Sequence, residues 1–170
     1  MEASVKLQEC ELGVLSHSHA RGLRRDLFRM VGDRTNAALP TFQTRCTLLR
    51  RPYRSNREMR AVFDRARQSL RSLAHGVHAL PDHCSGLVLI PAERQHEEGE
   101  AEALLQIAAA SIKRGPAWMH GTLRPIGSIG QHAVERMFQR MKTTSKDEVL
   151  REMGIPAGEL ERLRRSKIVG

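Results

Sequence analysis

The stretch that decides the fold is Ser85-Gly86-Leu87-Val88-Leu89-Ile90-Pro91, a short apolar run bounded by a Ser-Gly pair and a proline. Four consecutive apolar residues, two of them β-branched, are typical of a buried β-strand, and the proline cannot continue the strand's hydrogen bonding. This run therefore introduces a sheet into a chain whose other patterns are mostly helical. A second strand is expected over residues 4–11, where Val5 and Leu7 alternate with polar residues.

The clearest helix is predicted over residues 56–74, before this strand. Ser55 and Glu58 have the spacing of a capping box, in which each side chain accepts a hydrogen bond from the first turn. At 100° per residue, the apolar residues share one side: Met59, Val62, Phe63, Ala66, Leu70 and Leu73. The other side carries Asp64 and four arginines, here called the arginine stripe: Arg57, Arg60, Arg67 and Arg71. The stripe is suited to a phosphate backbone, and it equally suits a solvated helix face.

Further elements are expected on both sides of these two. A helix is predicted over residues 17–31, ending at Gly32-Asp33, and Pro40 is placed in the following loop. Residues 44–49 are assigned to a strand. Residues 95–113 are assigned to a helix with an acidic start, because glutamates favour the positive end of a helix dipole.

These elements predict an α-rich α+β fold, with a small sheet including residues 86–90 packed by three long helices. Residues 118–130 are irregular or strand-like, and a further helix covers residues 131–142. We expect an α+β core domain over residues 1–127 and a C-terminal helical subdomain over residues 128–170. At 170 residues the chain is long enough to bury a real core.

The charge of the chain points to a polyanionic partner. Its formal net charge is +9, and its pI is about 10.5. Residues 21–71 hold 14 arginines and four acids, a local charge of +10, whereas residues 92–112 have a charge of −4. Neutralising phosphates with such a surface releases counterions and favours binding. We expect a nucleic acid as partner, with DNA favoured over RNA.

The cellular location is predicted from the absence of targeting segments and from the cysteines. It has no run of 18 apolar residues and no signal peptide at Met1 to Ser4, so no membrane partner is expected. The three cysteines, Cys10, Cys46 and Cys84, are far apart, which favours free thiols in a reducing compartment. We therefore expect a cytoplasmic protein.

The helix at 131–142 carries a histidine and two arginines at four-residue spacing. His132, Arg136 and Arg140 are the residue types that phosphodiester cleavage needs, since histidine moves a proton near neutral pH and arginine stabilises phosphate charge. The same polar side would also be found on a helix that only contacts water there. Residues Ala133, Val134, Met137, Phe138 and Met141 are expected on its buried side.

This segment resembles a small family of uncharacterised, toxin-associated bacterial domains whose first helix reads His-Ala-x-x-Arg-Met-x-x-Arg. The matching residues are His132, Ala133, Arg136, Met137 and Arg140. Those domains continue into strands, whereas this chain is expected to be helical to its end. The resemblance implies an RNA-cleaving relationship.

Residues 146–165 resemble a generic helix-turn-helix. Val149, Met153 and Ile155 are apolar where two crossing helices touch, and Gly154 lies at the turn. Arg162 and Arg165 would then face a DNA groove on the second helix. A helical hairpin used for packing or dimerisation has the same pattern.

No metal or cofactor is expected. His75, His78, His83 and Cys84 have irregular spacing across a predicted helix end and a proline, unlike paired zinc ligands. The sequence also contains no phosphate-binding glycine loop and no HExxH motif.

The leading functional prediction is a small bacterial nucleic-acid-binding protein of regulatory or mobile-element type, contacting phosphates through its arginines. The alternatives are a metal-independent ribonuclease that uses His132, Arg136 and Arg140, and an interaction module that docks an acidic protein. Whether the chain is an enzyme stays open at this point.

Overall fold

The computed structural model describes residues 15–95, 99 and 101–154. These residues form two helices, then four strands, then two further helices. Their bounds are α1 His17–Leu49, α2 Asn56–Leu73, β1 His75–Leu80, β2 His83–Gln95, β3 Ala101–Arg114, β4 Met119–Gly130, α3 Gln131–Met141 and α4 Lys146–Met153. The α+β class is confirmed. Within the described residues two helices are long, α1 with 33 residues and α2 with 18, rather than the expected three.

The strands form one antiparallel sheet in the order β1-β2-β3-β4, so each strand pairs with its neighbour in the chain. The apolar run at 85–91 is a strand, as predicted, but β2 starts before it and continues through Pro91 to Gln95, so the ends expected at Ser85-Gly86 and at Pro91 are wrong. β1 pairs only with residues 83–87, and β2 continues beyond it along the full length of β3. Opposite Ile107 and Ala108, β4 contains one extra residue, Ile126, which forms a bulge.

Residues 101–114 form the central strand β3, so the helix expected over 95–113 is wrong. The segment is rich in alanine, leucine and glutamate, all good helix formers. Helix propensity amounts to less than 1 kcal/mol per residue for most residue types, and tertiary context overrides it. Here β2 and β4 supply backbone hydrogen-bond partners along both edges of the segment.

Residues 17–49 form one continuous helix, so the end expected at Gly32-Asp33 and the strand expected over 44–49 are both wrong. Pro40 lies inside this helix, where a proline costs about 3 kcal/mol. Burial at helical spacing along the whole length offsets that cost. The buried residues from this region onward are Val31, Thr35, Phe42 and Leu49.

Helix α1 passes from one face of the sheet to the other at the free edge of β2. Thr35 donates a hydrogen bond to the carbonyl oxygen of Leu89 over 2.8 Å, beyond the last residue of β2 that pairs with β1. Val88 and Leu89 are adjacent in β2 and belong to different core clusters, as opposite faces of a strand require. The two halves of α1 therefore stabilise two separate cores.

The first core is built from α2, the second half of α1 and one face of the sheet. Its largest buried side chains include Phe42, Phe63, Leu70 and Ile112. The second core joins the first half of α1 to α3 and α4. It contains Leu27, Leu105, Val134, Phe138 and Val149.

The predictions for the domain boundary and for the two ends of the chain have different outcomes. The expected domain boundary between residues 127 and 128 falls within β4. The first helix of the predicted helix-turn-helix is present as α4, capped by Ser145, which accepts a hydrogen bond from the Glu148 amide. The strand expected over 4–11 and the second helix with Arg162 and Arg165 lie outside the described residues.

Candidate nucleic-acid interface

The arginine stripe lies on the exposed side of α2, as predicted, with one exception. Arg57, Arg60 and Arg71 are exposed, while Phe63 and Leu70 on the opposite side are buried. Arg67 is half-buried instead. Met59 and Val62, expected in the core, are half-buried as well and pack against it.

Arg67 joins α2 to the turn between β1 and β2. Its guanidinium donates to the carbonyl oxygens of Leu80 and Pro81, at 3.1 and 2.7 Å, and lies over the Phe63 ring. Arg67 is therefore committed to the fold. Arg57, Arg60 and Arg71 are left to meet a ligand, since within the described residues none of them forms an ion pair.

A groove lies between the α1–α2 connection and the β3–β4 turn. It has a volume of about 560 Å³, and its walls include Arg50, Arg51, Tyr53, Arg54 and Trp118. Among the described residues, no aspartate or glutamate lines it. We call it the Trp118 groove. Three arginines with no acid among the lining residues make this groove suited to an anion.

The loop that carries these arginines is fixed through its backbone. The Tyr53 hydroxyl donates to the Leu48 carbonyl oxygen. Burial, reinforced by the charge of Glu58, raises the pKa of Tyr53, so its hydroxyl remains a donor. Ser55 accepts from the Glu58 amide at 3.2 Å, as the capping box predicts, and the Glu58 carboxylate accepts from the Arg54 amide at 2.9 Å.

The Trp118 indole is held in place although about half of it is exposed. Its relative exposure is 51%. It stacks on His120, with ring centroids 5.2 Å apart and an interplanar angle of 28°. It also lies directly against Gly115, where any Cβ atom would overlap the ring, and the Gly115 amide donates to the Trp118 carbonyl oxygen at 2.7 Å. A large aromatic surface is thus presented in a fixed orientation.

A smaller groove continues from the Trp118 groove along α2. Asn56 and Met59 line both grooves, and the second also contains Arg60 and Arg114. Arg114 is neutralised by Asp82, at 2.6 Å. The exposed Arg60 therefore links the Trp118 groove to the arginine stripe.

A further basic groove lies between α1 and α2, with Arg34, Arg45 and Arg65 on its walls. Arg34 donates to the carbonyl oxygens of Ser72 and Ala74, at 2.9 and 3.0 Å, and so satisfies the end of α2. One of its three arginines is thus used by the fold, and it offers no aromatic side chain.

The three predicted catalytic residues lie along α3 and do not line the Trp118 groove. His132, Arg136 and Arg140 are exposed along α3, and within the described residues no contact joins the three to one another. His132 lies instead beside Glu135, with 3.6 Å between Nδ1 and Oε2. The nearest partner of the predicted catalytic histidine is therefore a carboxylate that sequence reasoning did not assign to it.

Glu135 is buried, which corrects the expected assignment of buried and exposed residues on α3. It is 7% exposed and forms an ion pair with Arg24 of α1, at 3.4 Å. Arg24 also donates to the Gln131 side chain at 2.6 Å. Ala133, expected on the buried side, is exposed, and Glu135 is buried instead.

Within the described part of the chain, no three metal-binding side chains lie together. Burial raises the pKa of Cys84, and it raises that of Cys46 to about 11, against an opposing effect of Arg50. These two thiols are consequently protonated near neutral pH.

Sequence reasoning missed the Trp118 groove, although two signals were present. The run Arg50-Arg51-Pro52-Tyr53-Arg54 alternates positive charge with an aromatic ring, and Trp118 is the only tryptophan in the chain. Each signal is weak alone. Only the fold shows that the two segments share one groove.

Comparison with protein-family models, with curated proteins and with solved structures finds no match. Within the described residues, none of the helices has the length and apolarity that crossing a membrane requires.

Proposed function

We propose that this protein binds nucleic acid through the Trp118 groove and the adjoining exposed arginines of α2. The observation that supports this most is the groove itself, in which Arg50, Arg51 and Arg54 surround a half-exposed tryptophan with no acidic side chain among the lining residues. Arginines bind phosphates by charge and by paired hydrogen bonds, and aromatic rings bind bases.

The distribution of charge supports the same surface. The segment 21–71, with its local charge of +10, builds most of α1, the connection and most of α2. The Trp118 groove lies at the connection, where the arginines are exposed. A polyanion that approaches this side meets several exposed positive charges.

The test is binding of fluorescein-labelled 20-nucleotide DNA and RNA, measured by anisotropy at several salt concentrations. Affinity is expected to fall by about tenfold or more between 50 and 200 mM salt if several phosphates are contacted. The variant R50A/R51A/R54A should bind more weakly and lower the salt slope by about 2 to 3, since each lost phosphate contact removes roughly 0.9 or less from the slope.

The matched control removes three exposed arginines elsewhere. R94A/R124A/R151A changes the net charge equally, and its positions lie on β2, β4 and α4. Unchanged salt dependence in the groove variant, or an equal loss in the control, would contradict the proposal. A complex with an acidic protein in place of any nucleic acid would favour the interaction-module alternative.

A role in regulation or in a mobile element requires DNA reading by the C-terminal segment. If Arg162 and Arg165 read bases, replacing both by alanine is expected to cost about 1–3 kcal/mol of binding for each base-reading arginine. Loss of discrimination between DNA sequences, with binding to any sequence retained through the groove, would separate this role from the groove's.

The second candidate function is RNA cleavage at α3, favoured by the contact of His132 with Glu135. A carboxylate beside a histidine orients its ring. Arg136 and Arg140 are exposed on the same helix and would bind the phosphate. Incubation with labelled RNA would test this: cleavage is expected to be lost in H132A and retained in H17A, which changes another exposed histidine. Equal cleavage by both variants would exclude His132.

A further inference from the structure

We infer that the Trp118 groove takes single-stranded nucleic acid, with one unpaired base stacked on the Trp118 indole. This inference rests on the proposed nucleic-acid-binding function and specifies its ligand. It is carried by three features of the groove: an exposed aromatic surface, a fixed ring orientation and flanking positive charge.

The exposed surface is the first feature. Half of the indole is accessible, in a protein with only 4% aromatic residues. A base can stack on a tryptophan only when its own face is free, and in a duplex both faces are covered by neighbouring base pairs. An unpaired base is therefore the matching ligand.

The fixed orientation is the second feature. His120 stacks on the indole, and Gly115 lies so close to the ring that a Cβ atom there would overlap it unless the ring shifted. A ring that is already ordered loses little side-chain entropy when a base binds. Little of the free energy of stacking is then spent on ordering the ring.

The flanking charge is the third feature. Arg50, Arg51 and Arg54 are exposed around the groove, and the phosphates on either side of a stacked base need cationic partners. The volume of about 560 Å³ lies in the range of small-ligand sites, roughly 300–1,000 Å³. It thus accommodates individual nucleotides rather than the side of a duplex.

The sole tryptophan makes the test direct, because the intrinsic fluorescence of the protein comes mainly from Trp118. Titration at 50 mM salt with 12-nucleotide oligothymidine and oligouridine is expected to quench this fluorescence, while a 12-base-pair duplex quenches it little. Preference between the two oligonucleotides would show whether the strand is DNA or RNA.

Labelled oligothymidine then measures affinity by anisotropy. W118A is expected to bind it roughly 5- to 150-fold more weakly, the range for loss of one stacked base, whereas W118F retains most of the affinity. G115A, which displaces the indole without removing any side chain, provides a second variant should W118A fail to fold. In both W118A and G115A the loss of affinity for oligothymidine should exceed any loss for the duplex.

Two failures are distinguishable. Binding of oligothymidine without quenching, with the affinity of W118A unchanged, would overturn the stacking inference and leave the proposed function standing. Absence of binding to any single strand or duplex by the wild-type protein at 50 mM salt would overturn both.

Discussion

The two ends of strand β4 use arginine in opposite ways. At its start, Arg50 and Arg51 are exposed beside Trp118 and have no acidic partner among the lining residues of the groove. Just beyond its end, the Arg24 side chain is 16% exposed and pairs with Glu135, whose side chain is 9% exposed. The strand has 12 residues, so roughly 40 Å of backbone separates the two regions.

The difference shows that residue type alone does not identify a binding site. The charge of Arg24 is already neutralised by a buried carboxylate, and it holds α1 against α3. The charges at the groove have no such partner and remain available to a ligand. We therefore assign the proposed binding site to the unpaired arginines and expect the paired one to contribute to stability.

Breaking the buried pair is expected to give the largest effect on stability. R24A leaves the Glu135 carboxylate without its cation in a mostly buried position, and such losses cost roughly 3–5 kcal/mol. R51A, at the other end, should change the free energy of unfolding by less than about 0.5 kcal/mol, because Arg51 is exposed. Urea unfolding of both variants measures the contrast.

The same experiment can be sharpened with R24L/E135L. Removing both charges together avoids the uncompensated carboxylate, so this variant should be more stable than R24A. If R24A and R51A destabilised the protein equally, the distinction between the two ends would be lost.

A smaller effect is expected from glycines within β4 itself. Gly121, near the groove, is buried against Cys46 of α1, and a Cβ atom there would overlap the Cys46 sulfur and approach the helix backbone. G121A should therefore destabilise the first core by about 1–3 kcal/mol, as overpacking does. Gly127, further along the strand, has nothing within 4 Å of its Cβ position, so G127A should be close to neutral. Thermal unfolding of the pair gives the comparison, and equal melting temperatures would contradict it.

The smallest effect concerns the pH dependence of stability. Burial lowers the pKa of His75 from its ordinary 6.5; Arg34 lowers it further, and Asp147 partly opposes them. The folded protein therefore binds this proton less readily than the unfolded chain, so the contribution of His75 is complete above pH 6.5 and is lost as the pH falls below it. H75Q should unfold with a weaker dependence on pH between 7 and 5 than the wild type. An identical dependence in both proteins would show that His75 is not responsible.

Some elements were predictable because local patterns agreed with the final contacts. Helix α2 is amphipathic from Met59 to Arg71, and Ser55 caps it as predicted, whereas Glu58 accepts from the Arg54 amide rather than from the Ser55 amide. The run at 85–91 lies in a strand for the same reason, since its side chains are buried on both faces. Helix α3 was also located well, although the burial of Glu135 was not expected.

Other elements depended on partners distant in sequence. β3 has the composition of a helix and is a strand because β2 and β4 bind both of its edges. α1 continues through Pro40 because its two halves pack into two different cores. The spacing of Val31, Phe42 and Leu49 is helical. Gly32 and Pro40 nevertheless predict a break in the helix when only neighbouring residues are considered.

The sequence by itself determined the class of the fold, the charge, and the exposed side of α2, because these depend on composition and on periodicities within single elements. The tertiary structure alone decided which arginines are free. Arg24 and Arg67 are taken up by Glu135 and by the carbonyl groups of the β1–β2 turn, while Arg50, Arg51 and Arg54 are brought beside Trp118, more than 60 residues away in the chain. A charge becomes available for binding only when the rest of the fold leaves it unpaired and exposed, and no local pattern contains that information.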